Sequence, residues 1–539
     1  MNANGSSALR DANIARLSRS QFDVLVLGGG INGAVSAAAL AARGARVALV
    51  ERRDFASATS QESSNLVWGG IKYLETYELG LVRRLCRARN QLLRAYPSSV
   101  REIRFYASHP RGFRHRRWEL ALGAWLYWSL GGFFTRPPRL ISTREMAREE
   151  PVIALEELDG GFEYSDAFLP DGDARFVWGF VRSAIDHGCA AANYVEALGS
   201  RREGGGWVTQ VRDGVSGGEH AIRARVLVNA CGPYADGVNA RNGVATTHRH
   251  VLSKGIHLLV DQVTPSPRVL AFFADDGRLF FAIPMGPRTC IGTTDTPVER
   301  PDVEVTPEDR TFVLDNINKR LRLSRPLRAE DVVAERCGVR PLAVKADGAA
   351  VSDWMQLSRK HVIEVDADAH HVTIFGGKLT DCINIGEKVS EEAGRLGVHL
   401  PWPGRVWYGE PPGVLREEFL HQARLMGLDG AASGHPEPPS ARLWRRYGAG
   451  ALSMLESIRR NPAGAEELLP PAGILRCEVE EVASREMVVT LEDFLRRRTG
   501  IAQIMRREEL RFSPGLREAS AILFGPTAGS RLDEYFEAA

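Results

Sequence analysis

The segment from Phe22 to Glu51 constrains the fold of this chain more than any other. Asp23-Val-Leu-Val-Leu27 is a short β-branched and leucine run that ends in Gly28-Gly-Gly30. An alanine-rich stretch, Ala34–Arg43, reads as a helix closed by Gly44, and Arg46-Val-Ala-Leu-Val50 reads as a second buried strand with Glu51 at its tip. Strand, glycine turn, helix and strand within about 30 residues make a βαβ unit, which demands a parallel sheet.

Inside that unit lies Gly28-x-Gly30-x-x-Gly33. In such a triplet the first glycine makes the tight turn and the second lets backbone approach a pyrophosphate. The third lets helix and strand pack closely, and the helix N-terminus favours the negative charge. Glu51 stands where a carboxylate would meet ribose hydroxyls. The competing reading is a core turn without a ligand, and the triplet by itself does not separate NAD from FAD. The hydroxyl-rich loop Ser57-Ala-Thr-Ser60 and the run Ser63–Leu74, with its Gly69-Gly70 turn, suit a long cofactor in an extended groove. The plainer reading of that loop is a polar surface segment.

Composition narrows the class. With 539 residues the chain exceeds a single core, and 44% hydrophobic with 25% charged residues is ordinary for a globular protein. A net charge of +2 carries no nucleic-acid signature. Seven scattered cysteines without a CxxC pair argue against a disulfide framework and against a metal site, and fit a reducing cytoplasm. No apolar run is long enough to span a membrane. Residues 1–20, polar and without an apolar core, read as a flexible leader. Short strands around glycine turns follow at 195–222 and 250–375, His248-Arg-His250 and His370-His371 read as exposed turns, and Pro401–Gly413 reads as a linker into a helical C-terminal part.

Further motifs give the chain a family likeness. They include Thr59-Ser60, Ser63-Ser64, Tyr73-Leu-Glu75, Tyr164-Ser-Asp166, Asp173-Ala-Arg175 and Asn229-Ala-Cys-Gly-Pro233. Lys254-Gly-Ile-His257, Gly292-Thr-Thr-Asp295, Gly338-Val-Arg-Pro-Leu342, Ser358-Arg359 and Phe375-Gly-Gly-Lys-Leu-Thr380 continue the series. Arg445-Arg-Tyr-Gly448 and Thr490–Thr499 end it. In order and spacing the chain resembles the FAD-dependent glycerol-3-phosphate dehydrogenases from Phe22 to about Leu523.

That resemblance implies an α/β + α architecture: a Rossmann-type FAD-binding domain (21–100, 173–235 and 355–405), an interleaved antiparallel-sheet substrate domain (101–172 and 236–354) and a C-terminal helical domain (412–539). It implies oxidation of the C2 hydroxyl of sn-glycerol 3-phosphate to dihydroxyacetone phosphate, with hydride passing to flavin N5 and electrons to membrane quinone. Location in the cytoplasm at the inner face of the cell membrane, with a possible homodimer, goes with it. The implied cofactor-binding set is Gly28, Gly30, Asn32, Gly33, Glu51, Thr59, Ser60, Ser63, Ser64, Gly69, Gly232, Gly377, Lys378, Leu379 and Thr380. Arg340, Arg359 and Lys378 match substrate-site cations, which a phosphomonoester requires. His257 matches the active-site base, Arg340 could also hold the developing alkoxide, and Lys72 and Tyr73 stand in the substrate loop.

Three positions depart from the family pattern. Where it reads Lys, His and Arg, this chain has Asn65, Trp68 and Lys72. The change leaves open a flavin oxidase of another hydroxy acid or amine, with oxygen as acceptor, or a flavoprotein without turnover. Arg111–Trp118 and Leu120–Leu130, arginines leading into an aromatic apolar run, suit either an interfacial element on an anionic membrane or a buried helix with a basic entry.

Overall fold

The computed structural model describes residues 5–347, 360–430 and 435–537. The first sheet carries the βαβ unit. Its strands run in the order Val362–Asp366, His371–Phe375, Glu219–Asn229, Gln21–Leu27, Val47–Val50 and Ala190–Ala192. Along this path neighbours pair in parallel except the outermost hairpin, Val362–Asp366 with His371–Phe375, while Glu219–Asn229 also pairs antiparallel with Gly206–Asp213. Side chains alternate across this sheet as a period of two requires. Val24, Val26, Val47, Leu49, Val226 and Val228 face one core, while Leu25, Leu27, Ala48, Val50 and Leu227 face another.

On the first face the helix Ile31–Ala42 packs against the helices Asp173–Asp186 and Cys382–Arg395. Every residue from Asn32 to Ala42 is buried, and the alanines let three helices and a sheet approach one another. On the second face lie the meander strands Val195–Glu203 and Gly206–Asp213.

The N-terminal segment corrects the expectation of a flexible leader. Gly5–Arg19 is a helix packed on the strand Ala190–Ala192 and on the helix Arg476–Arg485. Arg10 is buried, donates to the carbonyl of Asn193 (3.1 and 2.9 Å) and pairs with Asp213. The Asn13 amide donates to Ala191 O, and Leu17 enters the core. Polar composition concealed this, because each polar side chain finds its partner nearly two hundred residues away.

The second sheet has ten strands. Its main path runs Thr296–Val298, His248–Asp261, Arg288–Gly292, Leu279–Met285, Val269–Phe273, Arg101–Pro110, Leu158–Phe168 and Leu66–Val67, with Ala334–Lys345 against His248–Asp261. It is antiparallel apart from Val269–Phe273 beside Arg101–Pro110. Helices Leu79–Ala95 and Arg117–Leu130 cover one face and Pro307–Arg320 the other.

His250 and His371, expected in exposed turns, are instead buried strand residues. His250 is held by Asp236 and accepts from the amide of Gly376 (3.1 Å), which makes its burial tolerable. Beyond residue 412 the described residues are helical, with one small hairpin, Glu467–Leu469 with Ile474–Leu475.

Candidate active site

A groove opens at the carboxyl ends of the parallel strands, where α/β sheets bind ligands. Gly28 has φ +100°, and a β-carbon there would sit 2.7 Å from the carbonyl oxygen of Ala230. A β-carbon on Gly33 would collide with the carbonyl of Gly28, so the helix can lie on the turn only with glycine present. No side chain caps the helix Ile31–Ala42, and its first amide, Ile31 N–H, donates to Ser60 Oγ (3.0 Å). The remaining first-turn amides suit an anion.

Glu51 accepts from the amides of Gly29 (2.7 Å) and Arg53 (2.9 Å), which aim its carboxylate at the groove; burial raises its pKa against these two bonds. Gly28, Gly30, Asn32, Thr59 and Gly232 line the same end. Asn32 donates to Gly376 O (3.0 Å), while its Oδ1 is buried with no partner.

A second chamber continues the first, sharing with it Ile31, Thr59, Ser60, Pro341, Gly376 and Gly377. Ser63, Ser64, Trp68, Arg340, Lys378, Leu379 and Thr380 line this part. The two chambers form one elongated groove, with a glycine cradle and an orphaned polar atom at one end and cations at the other. That is the shape and chemistry a long dinucleotide needs. Gly69 stands behind the wall, its amide donating to Asp166 (3.0 Å) and the Tyr127 hydroxyl filling the space a side chain would take. Asp166 is fully buried and pairs with Arg89 (2.8 Å).

The cations are positioned from the second sheet and from the Gly376-Gly377 turn. Arg340 donates to Thr293 Oγ1 (2.8 Å) and Thr294 O (3.1 Å) and lies 3.4 Å from Asp295. Lys378 Nζ lies 4.2 Å from the centre of the Tyr73 ring and 5.4 Å from that of Trp68. His257, 3% exposed, has an Nδ1 with no hydrogen-bond partner. Burial, with Arg340 and Arg336 nearby, pushes its pKa down to about 3, so the imidazole is neutral. Lys72 is half-buried on the short turn Ile71–Leu74 and does not line the groove. Arg359 lies outside the described residues.

Asn65 ties its loop to a helix and to the second sheet. It holds a left-handed φ of 58°, and its Oδ1 accepts from the amide of Asp173 and from Arg336 Nη1 (both 3.2 Å). Sequence reasoning did not single out Arg336, which is 1% exposed and also bonds Ser63 O and Gln503. It carries no local signal; only the register that sets it opposite His257 brings it here.

Comparison with known proteins resolves the cofactor. The model of a family described as FAD dependent oxidoreductase matches residues 23–378. The chain belongs to this family. Its cofactor is therefore FAD, which the elongated groove fits. A second model, the C-terminal domain of alpha-glycerophosphate oxidase, matches residues 414–521. Among curated relatives of this FAD-dependent oxidoreductase, D-erythritol 1-phosphate dehydrogenase of Brucella abortus is 31% identical, over 88% of this chain and 94% of its own. Aerobic glycerol-3-phosphate dehydrogenase of Bacillus subtilis is 30% identical, over 93% and 91%. The structure of glycerol-3-phosphate dehydrogenase from Bacillus halodurans complexed with FAD superposes with a TM-score of 0.73 at 25% identity, covering 98% of this chain and 96% of that one.

Proposed function

We propose that this oxidoreductase converts sn-glycerol 3-phosphate to dihydroxyacetone phosphate and delivers the electrons to a membrane quinone. The observation that carries the reading is that Arg340 and Lys378 line the end of the groove opposite the glycine cradle, with the buried neutral His257 next to Arg340. FAD, when bound, supplies a hydride acceptor. His257 takes the hydroxyl proton on its imidazole nitrogen, a task for which a neutral ring is the required form. Arg340, fixed by Thr293 and Thr294, offers a preorganised guanidinium to developing negative charge. Lys378 completes the described cationic set for the phosphate.

The acceptor side is supported by the helix Arg117–Leu130. Ala121, Ala124 and Tyr127 face inward, while Trp118, Leu122, Trp125 and Leu126 are exposed, with Phe133 just beyond. An apolar outer face beside the exposed Arg111, Arg114 and Arg116 suits an anionic lipid surface. No helix among the described residues is long and apolar enough to cross a membrane, so such attachment would be peripheral.

A second reading, a four-carbon polyol phosphate as substrate, is favoured by the erythritol-phosphate relative. Anaerobic titration separates these readings. Rapid bleaching of the flavin by glycerol 3-phosphate, followed by reoxidation with a soluble quinone faster than with oxygen, is the expected result. Bleaching by erythritol phosphate alone transfers the assignment to the second reading. No bleaching by either sinks both.

A further inference from the structure

The cofactor loop between Asp54 and Ser63 is gripped from two sides. On the groove side Ala56 N–H donates to Gly29 O (3.1 Å), Phe55 packs against Gly29, and Ser60 Oγ accepts from Ile31. On the outer side stands a π-helical segment of the C-terminal domain, Asp493–Arg498, whose three consecutive arginines are all buried. Arg498 meets Asp54 through two nitrogens (2.8 and 2.9 Å), and Arg497 meets the same carboxylate (2.7 Å) and Gln61 Oε1 (3.1 Å). Arg496 donates to Gln61 O (3.1 Å) and Glu62 (2.9 Å), and Glu62 in turn accepts from Cys337 N (3.1 Å) on the strand that bears Arg340.

Asp54 is fully buried and lies three residues past Glu51 at the tip of its strand. Burying three guanidinium groups costs solvation that only close, multiple hydrogen bonds offset. A domain held on merely by its apolar core would not need them against one ten-residue loop. Local π-helix, which is rare and tends to mark functional sites, is what turns successive arginines toward it.

We propose that Arg496, Arg497 and Arg498 are positioning residues through which the C-terminal domain holds the cofactor loop in its FAD-retaining shape. None of the three touches the groove; they act through Asp54, Gln61 and Glu62. The inference rests on FAD binding alone and is independent of which alcohol is oxidised.

Arg496→Gln is the informative variant, because it spares the Asp54 pairs that the fold depends on. Losing a charge-assisted bond to the loop should weaken FAD binding by about tenfold or more. Glu62→Gln should do the same, and the double variant should be little worse than either single, as coupled residues behave. The melting temperature of FAD-stripped protein should stay at the wild-type value while the stabilisation on adding FAD shrinks. Arg496→Lys should recover part of the affinity. An FAD dissociation constant unchanged in Arg496→Gln overturns the proposal. So does an equal drop in the melting temperatures of stripped and loaded protein, which would make the arginines structural glue only. Should Arg496→Gln not fold, Glu62→Gln read by the same two measurements decides it.

Discussion

The Arg340 guanidinium lies across the backbone of Gly255, on the neighbouring strand, so closely that a β-carbon there would overlap all three of its terminal atoms. The far end of a flexible side chain yields before a strand does, so Gly255→Ala should displace Arg340 and leave the sheet intact. Losing one charge-assisted contact to substrate should raise KM for glycerol 3-phosphate by about tenfold or more. FAD content should not change. Steady-state kinetics beside the visible spectrum checks this, and an unaltered KM would remove Arg340 from the substrate site.

His257→Gln should act on kcat instead. Loss of a positioned base costs roughly a hundred- to ten-thousandfold. Stopped-flow measurement of flavin reduction isolates that step.

Buried neutral histidines also set an acid limit on stability. The pKa of His257 falls from 6.5 to about 3, through burial and then Arg340 and Arg336, and that of His371 falls to about 4 through burial. The stabilisation is full above pH 6.5, where both folded and unfolded histidines are neutral. As pH falls below 6.5 the unfolded chain takes up protons that the folded one refuses, and stability is lost progressively toward the folded values. Melting temperature measured between pH 7 and pH 4 should fall less steeply in His257→Gln than in the parent protein.

Lys378 and Trp68 line the groove, whereas Lys72 does not. Lys378→Met should therefore raise KM for glycerol 3-phosphate more than Lys72→Met does. A larger effect at Lys72 would move the substrate phosphate away from Lys378.

Vesicle sedimentation tests the apolar helix. Leu122→Ser and Trp125→Ser should each weaken the salt-resistant part of binding, since burying such a side chain is worth about 1.5–3 kcal/mol. Trp128→Ser is a poorer probe, because its indole already donates to Thr135 O (2.6 Å) and packs edge-on against Trp125 and Phe133. The arginines from 111 to 117 should supply a part that washes off as salt screens it. Equal sedimentation with neutral and anionic vesicles would remove that electrostatic contribution.

The parts of the site legible in the sequence are those whose physics is local. Gly28-x-Gly30-x-x-Gly33 with Glu51, and the Gly376-Gly377-Lys378 turn, follow from short-range backbone demands, and both sit on the groove. Arg10, Arg336 and Arg496 were not legible, because an arginine looks the same in sequence whether it is solvated or bonded to a carbonyl hundreds of residues away. His250 and His371 were misread for the same reason. Motif membership also failed to separate lining from support, as Gly69 shows: it sits behind the wall, on a buried Asp166–Arg89 pair.

The strand order of the first sheet carries a consequence for biosynthesis. Gln21–Leu27 is flanked by Val47–Val50, which follows at once, and by Glu219–Asn229. That second neighbour leaves the ribosome roughly 190 residues later, some ten to forty seconds at ordinary elongation rates. The next, His371–Phe375, comes later still and leads into the Gly376-Gly377 turn that both chambers share. A nascent chain thus has its glycine fingerprint early and a closed groove only after most of translation. Flavin loading is a late event, and products truncated before Phe375 should emerge colourless.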